Sequence, residues 1–230
     1  MRHILIAVLL TMTARADQLR ITVYDRAHFS KEVIEMAVDN LSRIFRDSKI
    51  DIRVVEGDPA SDEASLFIYS DSLTQGREAE AACRARRDIA LQIVAAAPRG
   101  LKKSVLGMAQ PLASTGLNIR VFGDRVRDAA LRQCRPHSVV LAHVIAHEIG
   151  HVLLRDSTHT GRGLMSSVWT EYEYGWMQHA LMLFTGDQSQ KMRMSLRGAG
   201  CPNNAVVTGA GAVDVGDLQA TARRGKHSPK

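Results

Sequence analysis

Residues 143–165 read HVIAHEIGHVLLRDSTHTGRGLM and hold four of the nine histidines in this chain of 230 residues. Two of them bracket a glutamate in the order His147-Glu148-x-x-His151. On a helix, side chains four residues apart share one face, separated by a single turn. Their imidazoles can therefore offer one ring nitrogen each to the same ion, and neutral imidazole suits Zn²⁺ at about 2.0–2.1 Å. Glu148 falls roughly 100° around the helix, beside such an ion rather than on it. That is where a general base takes a proton from metal-bound water. With nine His and nine Glu in the chain, chance gives about 0.01 occurrences of this pattern. A catalytic zinc takes three protein ligands and keeps a fourth position for water. The third ligand must come from beyond the helix, after a sharp turn.

The elements that must position these groups are legible as periodicities. Leu19–Tyr24 alternates and predicts a first strand. Ser30 then reads as an N-cap, with Phe29 and Ile34 spaced as a hydrophobic staple. Val33, Ala37, Leu41, Ile44 and Phe45 make the apolar stripe of the helix that follows. Further strands are expected at Ile50–Val55, Leu66–Tyr69, Ala90–Ala97, Leu106–Leu112 and Leu117–Phe122, with Gly76–Arg87 as helix or surface loop. Ser138–Leu154 is the strongest helix and carries the histidines. A helix near Glu171–Leu183 and another opened by the capping-box pattern Thr185-Gly-Asp-Gln188 complete the series. Strands in the first half and helices in the second predict an α+β domain, with a twisted sheet backed by a helix.

The motif resembles that of the zincin metallopeptidases, and among them the metzincins, which carry H-E-x-x-H-x-x-G-x-x-H and then a methionine-containing turn. His147, Glu148 and His151 match the first half, and Gly163-Leu-Met165 is similar to the Met-turn. The family glycine falls at Leu154 and its third histidine position at Ser157, so the nearest candidate, His159, stands two residues further on. The resemblance implies His159 as third ligand, anchored between helix and Met-turn. Asp156, Glu171 and Glu173 are the alternatives. It also implies a zincin-like, metzincin-like fold with a mixed sheet, an active-site helix and a helical C-terminal part. The longer string Glu148-Ile-Gly-His151-Val-Leu-Leu…His159-Thr-Gly-Arg-Gly163-Leu-Met165 is similar to exported bacterial metzincin-like proteins, from the first strand to about Arg197. His143, one turn before His147, is expected to pack or support rather than ligate. His137, His179, Tyr172 and Tyr174 are expected to be structural.

Arg2 and His3 precede an apolar run from Ile4 to Leu10, and Ala14-Arg15-Ala16 gives an A-x-A pattern. Residues 1–16 are therefore expected to be a cleaved signal peptide and the protein to be secreted or periplasmic. Residues 17–197 form the expected metallopeptidase-like catalytic domain, and 198–230 a flexible Gly/Ala-rich polar tail. No stretch reaches about 18 uninterrupted apolar residues, so no membrane span is expected. Loss of Arg2 and Arg15 with the leader lowers the net charge from +6 to +4. That charge is scattered among few aromatics, which argues against a nucleic-acid surface. Three cysteines in an exported chain suggest one disulfide, with Cys83–Cys134 the expected pair and Cys201 left over.

The expected function is a zinc-dependent endopeptidase with Zn²⁺ as cofactor and a peptide or protein as substrate. Glu148 would assist attack by zinc-bound water and pass the proton to the departing amine. Substrate is expected to pair with an edge strand, for which Leu117–Phe122 is the candidate. The alternatives are a catalytically weak metal-binding module of the same fold, or another zinc-dependent amide hydrolase. Deformylases also use H-E-x-x-H, but the cysteine motif that completes their site is missing here.

Overall fold

The structure, a computed structural model, describes residues 17–58, 88–109 and 117–197. The expected signal peptide and tail, the strand at Leu66–Tyr69, the segment Gly76–Arg87 and the cysteines Cys83 and Cys201 lie outside the described residues.

In β1 (Asp17–Asp25) the apolar alternation is realised, with Leu19, Ile21 and Val23 buried. The Asp25 carboxylate then accepts from the backbone N–H groups of Ala27 at 2.9 Å and Phe29 at 2.8 Å. That turn delivers the chain to α1 (Lys31–Asp47), whose N-cap Ser30 accepts from Val33 N. Ala37, Leu41, Ile44 and Phe45 form its buried stripe, as the spacing predicts. The chain returns in β2 (Ile50–Glu56), parallel to β1 with Asp17 opposite Ile50. A helical crossover of this kind is what joining two parallel strands requires.

β3 (Asp88–Val94) lies on the other side of β1 and is buried from Ile89 to Ile93, the pattern of a strand covered on both faces. It stops short of Ala97 because Ala97 N donates to the Asp124 carboxylate at 3.1 Å and leaves the ladder. β4 (Gly107–Ala109) and β5 (Leu117–Phe122) complete a five-stranded sheet of order β2-β1-β3-β5-β4. Among the described strands the β4–β5 pair alone is antiparallel, so the sheet is mixed. Leu117–Phe122, expected as an edge, is instead an interior strand. β4 occupies the edge, because it pairs back onto β5 on the side away from β3.

α2 (Gly123–Arg132) was not anticipated, although Val126, Ala129 and Ala130 bury a short stripe at helical spacing. α3 (His137–Leu154) is apolar on nearly every side, and it packs on α1, α2, β4 and β5. Its length and a mean hydropathy of 1.3 would suit a membrane crossing, but 83% of it is buried inside this domain. It is the core helix. α4 (Glu171–Gln178) ends earlier than expected, where Ala180 takes φ 54 and Leu181 N donates back to Trp176 O. α5 (Gly186–Arg197) opens with the predicted reciprocal cap. Thr185 N donates to Gln188 Oε1 at 2.9 Å, and Gln188 N donates to Thr185 Oγ1 at 3.2 Å. Cys134 is exposed at the turn after α2, and the expected Cys83–Cys134 bond involves Cys83, which lies outside the described residues.

Candidate metal centre

α3 presents His147 and His151 on one face, and the backbone beyond it fixes which ring nitrogens are available. His147 Nδ1 lies 2.7 Å from Leu164 O, and His151 Nδ1 lies 2.7 Å from Asp156 O. A backbone carbonyl only accepts, so each Nδ1 carries the proton and each Nε2 keeps its lone pair. These two Nε2 atoms stand 3.0 Å apart. Two lone pairs so close repel unless a cation is shared between them. The arrangement matches the usual pattern of metal-ligating histidines, in which the other ring nitrogen is tied to a carbonyl.

The third histidine is brought back by a turn at a different place from the family glycine. α3 ends with Arg155 in the left-handed region, at φ 54 and ψ 37. Asp156 N donates to His151 O, and the Asp156 carboxylate accepts from Thr158 N at 2.8 Å. The reversal leaves the His159 ring 4.8 Å from that of His151 and 5.3 Å from that of His147. One ring nitrogen from each of the three lies within 4.8 Å of the others. The two extra residues between His151 and His159 are thus absorbed by a non-glycine residue at positive φ, which costs about 1 kcal/mol.

Asp156, Glu171 and Glu173, the alternative ligands, do not join this group. Asp156 faces Thr158, as above, and Glu173 accepts from Thr170 N at 2.9 Å and Thr170 Oγ1 at 2.5 Å, closing the capping box of α4. Glu171 is exposed at the start of α4. Among the described residues, the group able to hold a metal ion is His147, His151 and His159.

Met165 is buried beneath α3, where a Cβ placed on Gly150 would meet its Sδ at 2.5 Å. The turn that carries it closes on itself, with Thr160 N donating to Met165 O at 2.8 Å and Gly163 at φ 83. Its Leu164 carbonyl also accepts from Trp169 Nε1 at 3.3 Å, and the Trp169 ring meets His147 edge-on at 5.6 Å. Sequence reading missed Trp169. The available signal was an aromatic residue four positions after the methionine.

Burial pushes His147 down to about 4, helped by His151 and His159 and opposed by its bond to Leu164. His159 is also lowered, by burial and by His151 against the pull of Asp156. Both shifts favour the neutral imidazole, the form that ligates. Glu148 is 6% exposed, and burial pushes its carboxyl up to about 8. A cation alongside would favour its charged form.

His143 belongs to another part of the molecule. Its Nδ1 donates to Val139 O at 2.7 Å, and it lines a cavity of about 180 Å³ with Asn40, Ile44 and Met177. His137 meets Phe29 edge-on, His179 caps α4, and Tyr174 packs against Trp169. Tyr172 is 79% exposed.

Fold and site together define an α+β domain with a mixed sheet and a three-histidine group on and beside its core helix. No protein-family model matches the chain, and no curated protein matches it. Among solved structures it is similar to a zinc-dependent peptidase from Methanocorpusculum labreanum (strain Z), at 12% identity and a TM-score of 0.49, covering 75% of this chain and 99% of that one. It is similar to archaemetzincin from Methanopyrus kandleri at 14% identity and a TM-score of 0.49, covering 81% and 99%. A third likeness is to metalloproteinase-II from Bacteroides fragilis, at 14% identity and a TM-score of 0.46, covering 80% and 54%.

Proposed function

We propose that this chain is an exported zinc-dependent endopeptidase, with residues 17–197 as its catalytic unit. One observation carries the reading: the Nε2 atoms of His147 and His151 stand 3.0 Å apart while each Nδ1 lies on a backbone carbonyl, with His159 closing the third side. Among the described residues no fourth side chain joins the three imidazoles, and a set of three leaves a position open, as a catalytic site does and a closed structural one does not. Zinc in such a set lowers the pKa of a coordinated water to about 7 and polarises a carbonyl.

The chain's own groups supply the rest. Glu148, next to His147 on α3, accepts the proton of the attacking water and returns it to the departing amine. Trp169 and the Leu164 carbonyl hold the His147 ring in its ligating orientation. β4, the last strand of the described sheet and packed on α3, is the strand along which an extended peptide would lie. The reading of residues 1–16 as a cleaved leader rests on the apolar run from Ile4 to Leu10 and the Ala14-Arg15-Ala16 pattern.

The test combines metal analysis of the purified protein with cleavage of a peptide library and of a formyl-peptide. One zinc per chain, cleavage within library peptides and at least about 100-fold loss in Glu148→Gln with zinc retained are expected. Full peptidase activity in a zinc-loaded Glu148→Gln protein would refute the mechanism, and turnover of the formyl-peptide alone would redirect it to another amide hydrolase. Secretion is tested by N-terminal sequencing of exported protein, expected to begin at Asp17.

A further inference from the structure

β4 carries a glycine at the point where the edge of the sheet meets the acid of α3. A Cβ built on Gly107 would stand 2.8 Å from Glu148 Oε1, 3.0 Å from Glu148 Cγ and 3.1 Å from the carbonyl oxygen of Arg120. The last is backbone of β5, which would have to give by a few tenths of an ångström. The backbone of Gly107 does not itself call for glycine, since the glycines at positive φ are Gly100 and Gly163. A glycine inside a strand forfeits side-chain packing and marks a close approach. Here the approaching group is the Glu148 carboxyl.

The ladder gives Gly107 a second face. Phe122 N donates to Leu106 O at 2.9 Å, and Gly107 stands opposite Val121. In an antiparallel pair, bonded and non-bonded positions alternate. Leu106 and Met108 therefore bond to β5, while Gly107 and Ala109 turn their N–H and C=O groups away from it.

We propose that Gly107 is a positioning residue: its missing side chain seats the Glu148 carboxyl against β4, at the strand position where an incoming peptide bonds to the backbone. This rests on the peptidase reading for its consequence in catalysis, but the steric relation is independent of it.

The test is a double-mutant cycle of Gly107→Ala and Glu148→Ala, read in two ways. In the metal-free protein, Gly107→Ala lowers the melting temperature by about 3 °C or more while Glu148 is present. In the Glu148→Ala background the same change costs clearly less, because the contacts to the Glu148 carboxyl and Cγ are gone while the one to the Arg120 carbonyl remains. In the zinc-loaded protein, Gly107→Ala keeps its zinc and its KM but loses about 10- to 100-fold in kcat. Equal melting shifts in the two backgrounds, or an unchanged kcat, overturn the proposal. Should wild type cleave no peptide, the peptidase reading fails by itself and the melting cycle still decides the role of Gly107. A Gly107→Ala protein that folds only when Glu148 is also removed supports the proposal, and failure of both variants to fold counts against it.

Discussion

The Nδ1–H of His147 donates to the carbonyl oxygen of Leu164 at 2.7 Å, across 17 residues of chain. The bond ties the histidine on the core helix to the residue just before Met165, so the turn beneath the site also sets the direction of a ligand above it. Trp169 shares that carbonyl and walls the ring. Trp169→Ala is expected to lower zinc affinity about 10-fold, the usual scale for a residue that orients a ligand. Trp169→Phe, which keeps a ring but loses the N–H, should lose less. Competition with a chromogenic chelator measures both.

Arg155 separates local geometry from side-chain identity. It occupies the left-handed region at the end of α3, which its side chain does not need. Arg155→Gly should bind zinc as wild type does and hold or gain up to about 1 kcal/mol in stability. Arg155→Val should cost about 2 kcal/mol, since a β-branched residue resists positive φ. Its zinc affinity should also fall, as the turn that returns His159 is disturbed. Urea denaturation and zinc titration together check the opposite signs.

Gly150 admits the methionine. A Cβ there would stand 2.5 Å from Met165 Sδ and 2.9 Å from Phe184 Cε1. Gly150→Ala is a favourable change for a helix interior by propensity alone, worth about 1 kcal/mol. Overpacking should reverse that sign and leave a net loss of about 1–3 kcal/mol. Thermal denaturation decides between the two.

His143 predicts an acid-side weakness. It is 2% exposed, its Nε2 has no hydrogen-bond partner among the described residues, and burial holds it at about 4 against an ordinary 6.5, with the Val139 bond opposing. The folded state thus resists protonation that the unfolded chain accepts. Its contribution to stability is complete above pH 6.5 and is lost as pH falls towards 4, by about 3 kcal/mol in total. The groups lining its cavity include Arg43 and Asp47 on α1. His143→Met should flatten the decline between pH 6.5 and 4 in urea titrations of the metal-free protein.

The sequence by itself determined the parts whose cause is local. The spacing of His147, Glu148 and His151 follows from one helical turn, the stripe of α1 from the 3.6 period, and the caps at Ser30 and Thr185 from side chains that reach their own backbone. Two local readings slipped. α2 was overlooked although its stripe was short but regular, and α4 ends at a left-handed Ala180 that apolar spacing does not announce.

Only the tertiary structure decided what depends on contacts distant in sequence. Strand order is one case: Leu117–Phe122 has the same alternation whether it is an edge or an interior strand, and it is the pairing of β4 that makes it interior. The return of His159 is another, because a left-handed Arg155 and two carbonyl bonds to imidazoles leave no mark on the residues between them. Gly107 is the plainest. Its composition says flexibility, and only its approach to Glu148, 41 positions along the chain, shows that the space itself is what is used.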